Sequence, residues 1–261
     1  MPPVIAITGA SAGIGRATAL RLARDGASVA ICARRPDRLE RVAGEIAAAG
    51  GTPLAVTADV TNAAEMESFV AATVQAFGRL DVMVCNAGYG VYGAIDRVTP
   101  EQMRALMDVN FHGTFNAARA ALPIFRRQQR GHAIVVSSIA GRRGIPFMGP
   151  YSATKFAQVG LAECLRAEFH GTSIKVSVVY PISTETEFFQ VMTKHSGFAT
   201  RAHGPRQSAG DVAEAIARAI GRPVPEVYPY RLGKALAVLG VVAPRFSDWL
   251  TRHWGRQPIE I

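Results

Sequence analysis

Val4-Ile-Ala-Ile-Thr8 runs without a break into Gly9-Ala-Ser-Ala-Gly13-Ile-Gly15, and Arg16 to Arg24 follows with the periodicity of a helix. The first five residues form a short apolar run with strand character. Strand, glycine turn and helix in that order are the context that a dinucleotide pyrophosphate requires. Gly9 permits a tight turn, and Gly13 lets the backbone approach a phosphate with no Cβ in the way. Gly15 allows helix and strand to come close. The phosphates would meet free N–H groups and the positive end of the helix dipole, with Ser11 and Ile14 among the loop's contacts. No Lys-Ser/Thr follows the glycines, so the loop is not that of a nucleoside triphosphatase.

Outward from this loop, strand and helix signals alternate to the end of the chain. Strand-like runs follow at Ser28–Cys32, Pro53–Thr57, Asp81–Cys85, Ala133–Ser137, Lys175–Tyr180 and, more weakly, Glu226–Tyr230. Between them, Leu39, Val42, Ile46 and Ala49 fit one helical face, and Met66, Phe69, Val70 and Phe77 another. Phe115, Ala118, Leu122 and Phe125 fit a third. The pattern predicts an α/β fold: a Rossmann-type, doubly wound parallel sheet of about seven strands with helices on both faces. A chain of 261 residues suits one such domain, residues 1–261. Residues 183–210 leave the carboxyl end of a strand, mix aromatic with polar residues, and are expected to form a substrate lid. Residues 231–261 form a C-terminal extension.

Composition narrows the class. Cys32, Cys85 and Cys164 are scattered and have no CxxC spacing, which favours reduced thiols, a cytoplasmic location and no zinc site. The histidines show no metal-ligand spacing, so no metal is expected. The chain enters a strand by Val4, which leaves no room for a signal peptide, and no apolar run spans a bilayer. The formal net charge of +9 is spread over Arg34, Arg35, Arg126, Arg127, Arg142, Arg143 and Arg252 among others. No nucleic-acid motif accompanies it.

Tyr151-Ser-Ala-Thr-Lys155 sets a phenol and an ammonium one helical turn apart, on one face. A free tyrosine titrates near pH 10, and lowering it by ~3 units needs ~4 kcal/mol in favour of the phenolate. One ammonium at ~4 Å in an effective dielectric of ~20 supplies about that much. The pair therefore reads as an acid–base device. The helix it opens carries Phe156, Val159, Gly160 and Ala167 around most of its girth, which predicts self-association as a homodimer or homotetramer.

In order and spacing, the glycine loop, Asp59-Val60, Asn86-Ala87-Gly88, Asn110, Ser138, Tyr151-xxx-Lys155 and Pro181 with Thr186 resemble the short-chain dehydrogenase/reductase family, in its compact single-domain branch. The resemblance covers roughly Val4 to Asp211. It implies a catalytic set of Asn110, Ser138, Tyr151 and Lys155. Tyr151 would donate the proton to a carbonyl oxygen, and Ser138 would hydrogen-bond that oxygen. Lys155 would lower the Tyr151 pKa and hold the nicotinamide ribose. Asn110 would position a water beside Lys155. Ser137 competes for the role of Ser138, which is preferred for its distance from the tyrosine. Asp59 and Val60 fall at the adenine, Asn86, Ala87 and Gly88 at the central strand, and Pro181, Thr184 and Thr186 near the carboxamide. Where an NAD site carries an acid after the second strand, this chain has Ala33-Arg34-Arg35. Guanidinium binds phosphate well, so NADP(H) is expected, with Arg34 the main contact, Arg35 a helper, and NAD(H) the alternative.

The chain departs from the family at Cys85, often asparagine there, and at Ile182, where glycine is usual. Tyr89, Tyr92, Ile145, Phe147, Met148, Phe188, Phe189 and Met192 are expected to line the substrate pocket, which suits a lipophilic ketone, aldehyde or alcohol. The tail beyond Tyr230 carries apolar Gly233–Val242, then Pro244, Phe246, Trp249, Leu250 and Trp254, flanked by Arg245, Arg252 and Arg256. It is open to three roles: a pocket cover, a dimer contact, or a peripheral membrane contact. The rival functions are a 3-oxoacyl-carrier-protein reductase and a non-catalytic NADP(H)-binding sensor or scaffold.

Overall fold

A computed structural model describes residues 2–197 and 205–254. Seven strands form one sheet: β1 (Val4–Thr8), β2 (Ser28–Ala33), β3 (Thr52–Thr57), β4 (Val82–Cys85), β5 (Gly131–Val136), β6 (Ile174–Val179) and, at the edge, β9 (Glu226–Val227). Every pairing is parallel, in the order β3-β2-β1-β4-β5-β6-β9. A two-stranded ribbon, β7 (Ser183–Glu185) with β8 (Arg206–Ser208), stands apart. The helices are α1 (Gly13–Ala23), α2 (Pro36–Ala48), α3 (Ala63–Phe77), α4 (Pro100–Met107), α5 (Gly113–Gln128) and α6 (Gly149–Glu168). After them come α7 (Phe188–Ser196), α8 (Ala209–Gly221), α9 (Gly233–Val242) and α10 (Pro244–Trp254). A five-residue π-turn, Asp108–His112, joins α4 to α5.

The central strands β1, β2 and β4 are almost wholly apolar because both faces of the sheet are covered. Alternate residues point to opposite cores. Ala6, Ala30, Cys32, Met83, Cys85, Ala133, Val135, Val176 and Val178 meet α3, α5 and α6 on one side. Ile5, Ile7, Val29, Ile31, Val82, Val84, Ile134 and Val136 meet α1, α2 and α8 on the other. Local chemistry starts the helices: the Asn62 side chain caps α3, and Thr99 with Gln102 and Ser208 with Asp211 form capping boxes on α4 and α8. The order reverses between β1 and β4, which opens a crevice at the strands' carboxyl ends.

The structure differs from the sequence reading in several places. Phe115 faces outward on α5 while Ala118 and Phe125 are buried, and Phe156 faces outward on α6 while Val159 is buried. The weak seventh strand shrinks to two residues, since Tyr228 leaves the ladder to stack on Tyr180 (ring centroids 4.8 Å apart). The segment 183–210 contains β7, α7 and β8; its residues 198–204 lie outside the described set. In the tail, α9 and α10 follow each other across Ala243, and Arg143 pairs with Asp248 of α10. Arg256 and the side chains of Arg252 and Trp254 lie outside the described residues. No described helix is long and apolar enough to cross a membrane.

Candidate active site

The glycine loop sits at the carboxyl end of β1. Gly9 (φ +65°) and Gly13 (φ +55°) adopt backbone that side chains resist. A Cβ on Gly9 would meet Ala87 Cα at 2.7 Å, and one on Gly15 would meet Asn86 Nδ2 and Gly9 O at 2.6 Å. Above Gly13 lies the Thr186 side chain, 3.2 Å from where a Cβ would stand. Helix α1 begins at this loop with Ala12 as N-cap, no side-chain cap and no acid in its first turn. Its first N–H groups thus face the crevice uncapped, and this donor set fits a pyrophosphate. Asn86 ties the turn to β4, donating through Nδ2 to Thr8 O (3.0 Å) and Gly9 O (3.1 Å). Asp59 holds Thr61 N and Oγ1 at 2.9 Å, and the Val60 carbonyl accepts from Asn116 Nδ2.

Tyr151 and Lys155 lie on the buried face of α6, with the ammonium 5.6 Å from the phenol ring centre. The two serines at the end of β5 part company. Ser137 Oγ donates to Lys155 O at 3.0 Å. Ser138 Oγ accepts from Ala140 N at 3.1 Å, donates to Pro181 O at 3.4 Å, and lies near enough to the Tyr151 phenol to favour its ionised form. Both serines line the crevice with Tyr151, but the Ser137 hydroxyl is spent on the helix backbone. Asn110, fully buried in the π-turn, exchanges two bonds with the Tyr89 backbone (3.0 Å each) and donates to Thr154 Oγ1. Gly88 packs beside both Asn110 and Lys155.

The titration behaviour differs from the sequence expectation. Burial pushes the Tyr151 phenol up to about 12, opposed only by the nearby Ser138 hydroxyl. Burial also brings the Lys155 ammonium down to about 7. The lysine does not lower the phenol because it donates elsewhere, to Val136 O and Gln158 Oε1, both at 3.0 Å. The loss of hydration on burial outweighs an ammonium that stands 5.6 Å from the ring centre. Gln158 had no place in the sequence reading; its only signal was a polar residue three positions beyond Lys155, on the same inner face of α6.

The arginines after β2 diverge. Arg35 Nη2 donates to Ser11 Oγ (3.2 Å) and lies 3.7 Å from Glu187, at the head of α7. Arg38 donates to both Glu187 oxygens (2.6 and 2.8 Å). Arg34 is exposed, and its field reaches Tyr89 and His195. Arg38 and Glu187 were not foreseen.

An apolar pocket opens beside Tyr151. Tyr92, Ile145, Met148, Phe188, Phe189 and Met192 line it together with Ile14, Ser138, Pro181, Thr184 and Thr186. Phe188 sets its ring edge-on to Tyr151, 5.5 Å between centroids. Tyr89 and Phe147 fall outside the lining. Tyr89 rests against His195 (4.5 Å), and Phe147, at φ +63°, backs Tyr92 (5.7 Å). Thr184 lines the wall, but its hydroxyl is engaged by Ile182 O and Gln207 Nε2. Ile182, Tyr230, Leu236 and Thr251 also line the pocket, the last two from the tail helices.

Comparison with known proteins gives the family. Residues 3–197 match the family model of the short chain dehydrogenases. An uncharacterised oxidoreductase of Listeria innocua is 36% identical over 192 residues, 73% of this chain and 77% of that one. The 3-ketodihydrosphingosine reductase of Bacteroides thetaiotaomicron is 39% identical over 187 residues, 72% of this chain and 66% of that one. Among solved structures, an alcohol dehydrogenase of Thermococcus sibiricus complexed with 5-hydroxy-NADP superposes with a TM-score of 0.77 at 30% identity, covering 87% of this chain and 96% of that one. With a nucleotide-ready glycine loop, the Ser138–Tyr151–Lys155 cluster and a sheet of this order, the chain belongs to the short-chain dehydrogenase/reductase family of oxidoreductases acting on CH–OH groups.

Proposed function

We propose that this enzyme interconverts a lipophilic ketone or aldehyde and its alcohol, using NADP(H). One observation carries the reading: Ser138 and Tyr151 meet on the wall of an apolar pocket that also reaches Ile14 of the glycine loop. When bound, the nicotinamide supplies or accepts the hydride at the carbonyl carbon. In the reductive direction Tyr151 gives its proton to the carbonyl oxygen, and the Ser138 hydroxyl steadies the charge developing there. Lys155, buried beside Tyr151, offers its remaining N–H to the ribose. Phe188, on the lid segment, excludes water from the phenol. Arg35, with Arg34 and Arg38 nearby, supports the 2′-phosphate preference. The apolar lining, and the long-chain ketone named for the Bacteroides relative, support a lipophilic substrate.

A screen of ketones and alcohols with NADPH, NADP, NADH and NAD, followed at the nicotinamide absorbance, tests this. Turnover of long-chain or polycyclic ketones with NADPH is expected. Turnover restricted to carrier-bound 3-oxoacyl groups would replace the substrate class, and a clear NADH preference would reject the cofactor assignment. Binding of NADP(H) without turnover of any compound would favour a sensor. Outward-facing Phe115 and Phe156 support a homo-oligomer built on α5 and α6, which sedimentation as a monomer would refute. Exposed Val238, Val241, Val242, Phe246 and Trp249, beside exposed Lys234 and Arg245, support peripheral membrane contact. Liposome flotation with no protein in the lipid fraction would refute that.

A further inference from the structure

Gln158 is fully buried, and every polar atom of its side chain is used. Its Nε2 donates to Asn110 O and Thr114 Oγ1, both at 2.7 Å, and its Oε1 accepts from Lys155 Nζ at 3.0 Å. The orientation of the amide is dictated chemically. Lysine can only donate and a carbonyl can only accept, so oxygen must face Lys155 and nitrogen must face Asn110. We propose that Gln158 is the positioning residue for Lys155, its amide bridging the ammonium directly to the Asn110 carbonyl and fixing where the ammonium points.

Two of the three ammonium donors are thereby committed, to Gln158 and to Val136 O. The third is left for the crevice. The family resemblance assigns the link between Asn110 and Lys155 to a water; here a side chain makes it. An amide does not pass protons on at neutral pH, so the bridge anchors the ammonium without relaying charge. Protons reach Tyr151 from the crevice side.

Among the described residues, the surroundings of the ammonium are otherwise uncharged. Helix α6 contributes Tyr151, the titratable neighbour, and β5 contributes the Val136 carbonyl. The π-turn contributes Asn110, the loop after β4 contributes Gly88, and α5 contributes Thr114 through Gln158. An uncompensated buried ammonium is costly, so a single acceptor such as Oε1 weighs heavily on its protonation.

This inference rests on the catalytic assignment of Lys155, but its test requires no turnover. Lys155, Lys175, Lys194 and Lys234 are the chain's lysines, so carbon-13 at lysine Cε gives a sparse spectrum in which Lys155→Met identifies the signal. The titration midpoint of Lys155 is followed in the native protein, in Gln158→Leu and in Gln158→Glu. Loss of the acceptor should lower the midpoint by about 1 pH unit, and a carboxylate should raise it by a similar amount. Unchanged midpoints in both variants, with the other lysine signals and the melting temperature showing an intact fold, would overturn the proposal. An inert enzyme whose Lys155 midpoint still moved in both directions would instead refute the oxidoreductase reading alone.

Discussion

Glu187, the first residue before α7, presents both carboxylate oxygens to Arg38 across 149 residues of chain, at 2.6 and 2.8 Å, with Arg35 at 3.7 Å. The acid at the head of α7 therefore sits among the arginines proposed to receive a 2′-phosphate. The pair is partly exposed and its net worth in the protein is small, yet it competes for the same guanidinium groups. Glu187→Gln should tighten binding of 2′,5′-ADP several-fold and leave 5′-AMP unchanged, whereas Arg35→Ala should weaken 2′,5′-ADP by about tenfold. Calorimetric titration of both nucleotides checks this. Equal effects on both would remove these residues from the phosphate subsite.

Tyr151→Phe keeps the ring that packs against Phe188 and removes only the hydroxyl. Turnover should fall by about 10²–10⁴-fold while the dissociation constant for NADPH holds. Stopped-flow absorbance and fluorescence titration measure the two separately. A variant that stayed active would take proton transfer away from this residue.

Ser137 and Ser138 give a paired comparison. Ser138→Ala should lower turnover by about 10²-fold with little change in melting. Ser137→Ala removes a donor to Lys155 O inside the protein, so it should cost about 1 kcal/mol of stability and spare most of the activity. The opposite outcome would reassign the two hydroxyls.

His132 lies in β5, buried, with Nε2 2.8 Å from Ser177 Oγ; burial holds its pKa down at about 4, below the ordinary 6.5. The unfolded chain therefore takes up a proton that the folded one refuses, between pH 6.5 and 4. Stability must fall as pH drops through that window, by about 3 kcal/mol in all. Urea unfolding of the native protein and of His132→Gln at several pH values checks it. The variant should lose less stability than the native protein over that interval, and parallel curves would contradict the assignment.

How far the sequence foretold the molecule depended on the range of the interactions involved. Runs such as residues 4–7 and 29–33 are apolar throughout because both faces are covered, so the parallel sheet was legible. The Tyr151–Lys155 spacing carries its geometry with it, since a helix puts such a pair on one face. By contrast β7 and β8 have three residues each, mostly polar, and leave no periodic trace. Glu187 meets Arg38, and Leu236 and Thr251 reach the pocket, only through tertiary folding. The choice between Tyr89 and its neighbours as pocket lining turned on a stacking partner, His195, from a distant helix. The direction of the phenol shift depended on burial, which a local motif does not report.

The π-turn between α4 and α5 sets Asn110 at a definite angle on what is otherwise one long rod. Removing a single residue there would restore ordinary winding and swing everything on one side by roughly 100°, turning the asparagine from Tyr89 and the Gln158 bridge out of reach. Point substitutions on the outer rim, at Asp108 or His112, leave that angle alone. The segment is thus sensitive to length where it is tolerant of spelling: an insertion or deletion of one codon would disable it more surely than most replacements.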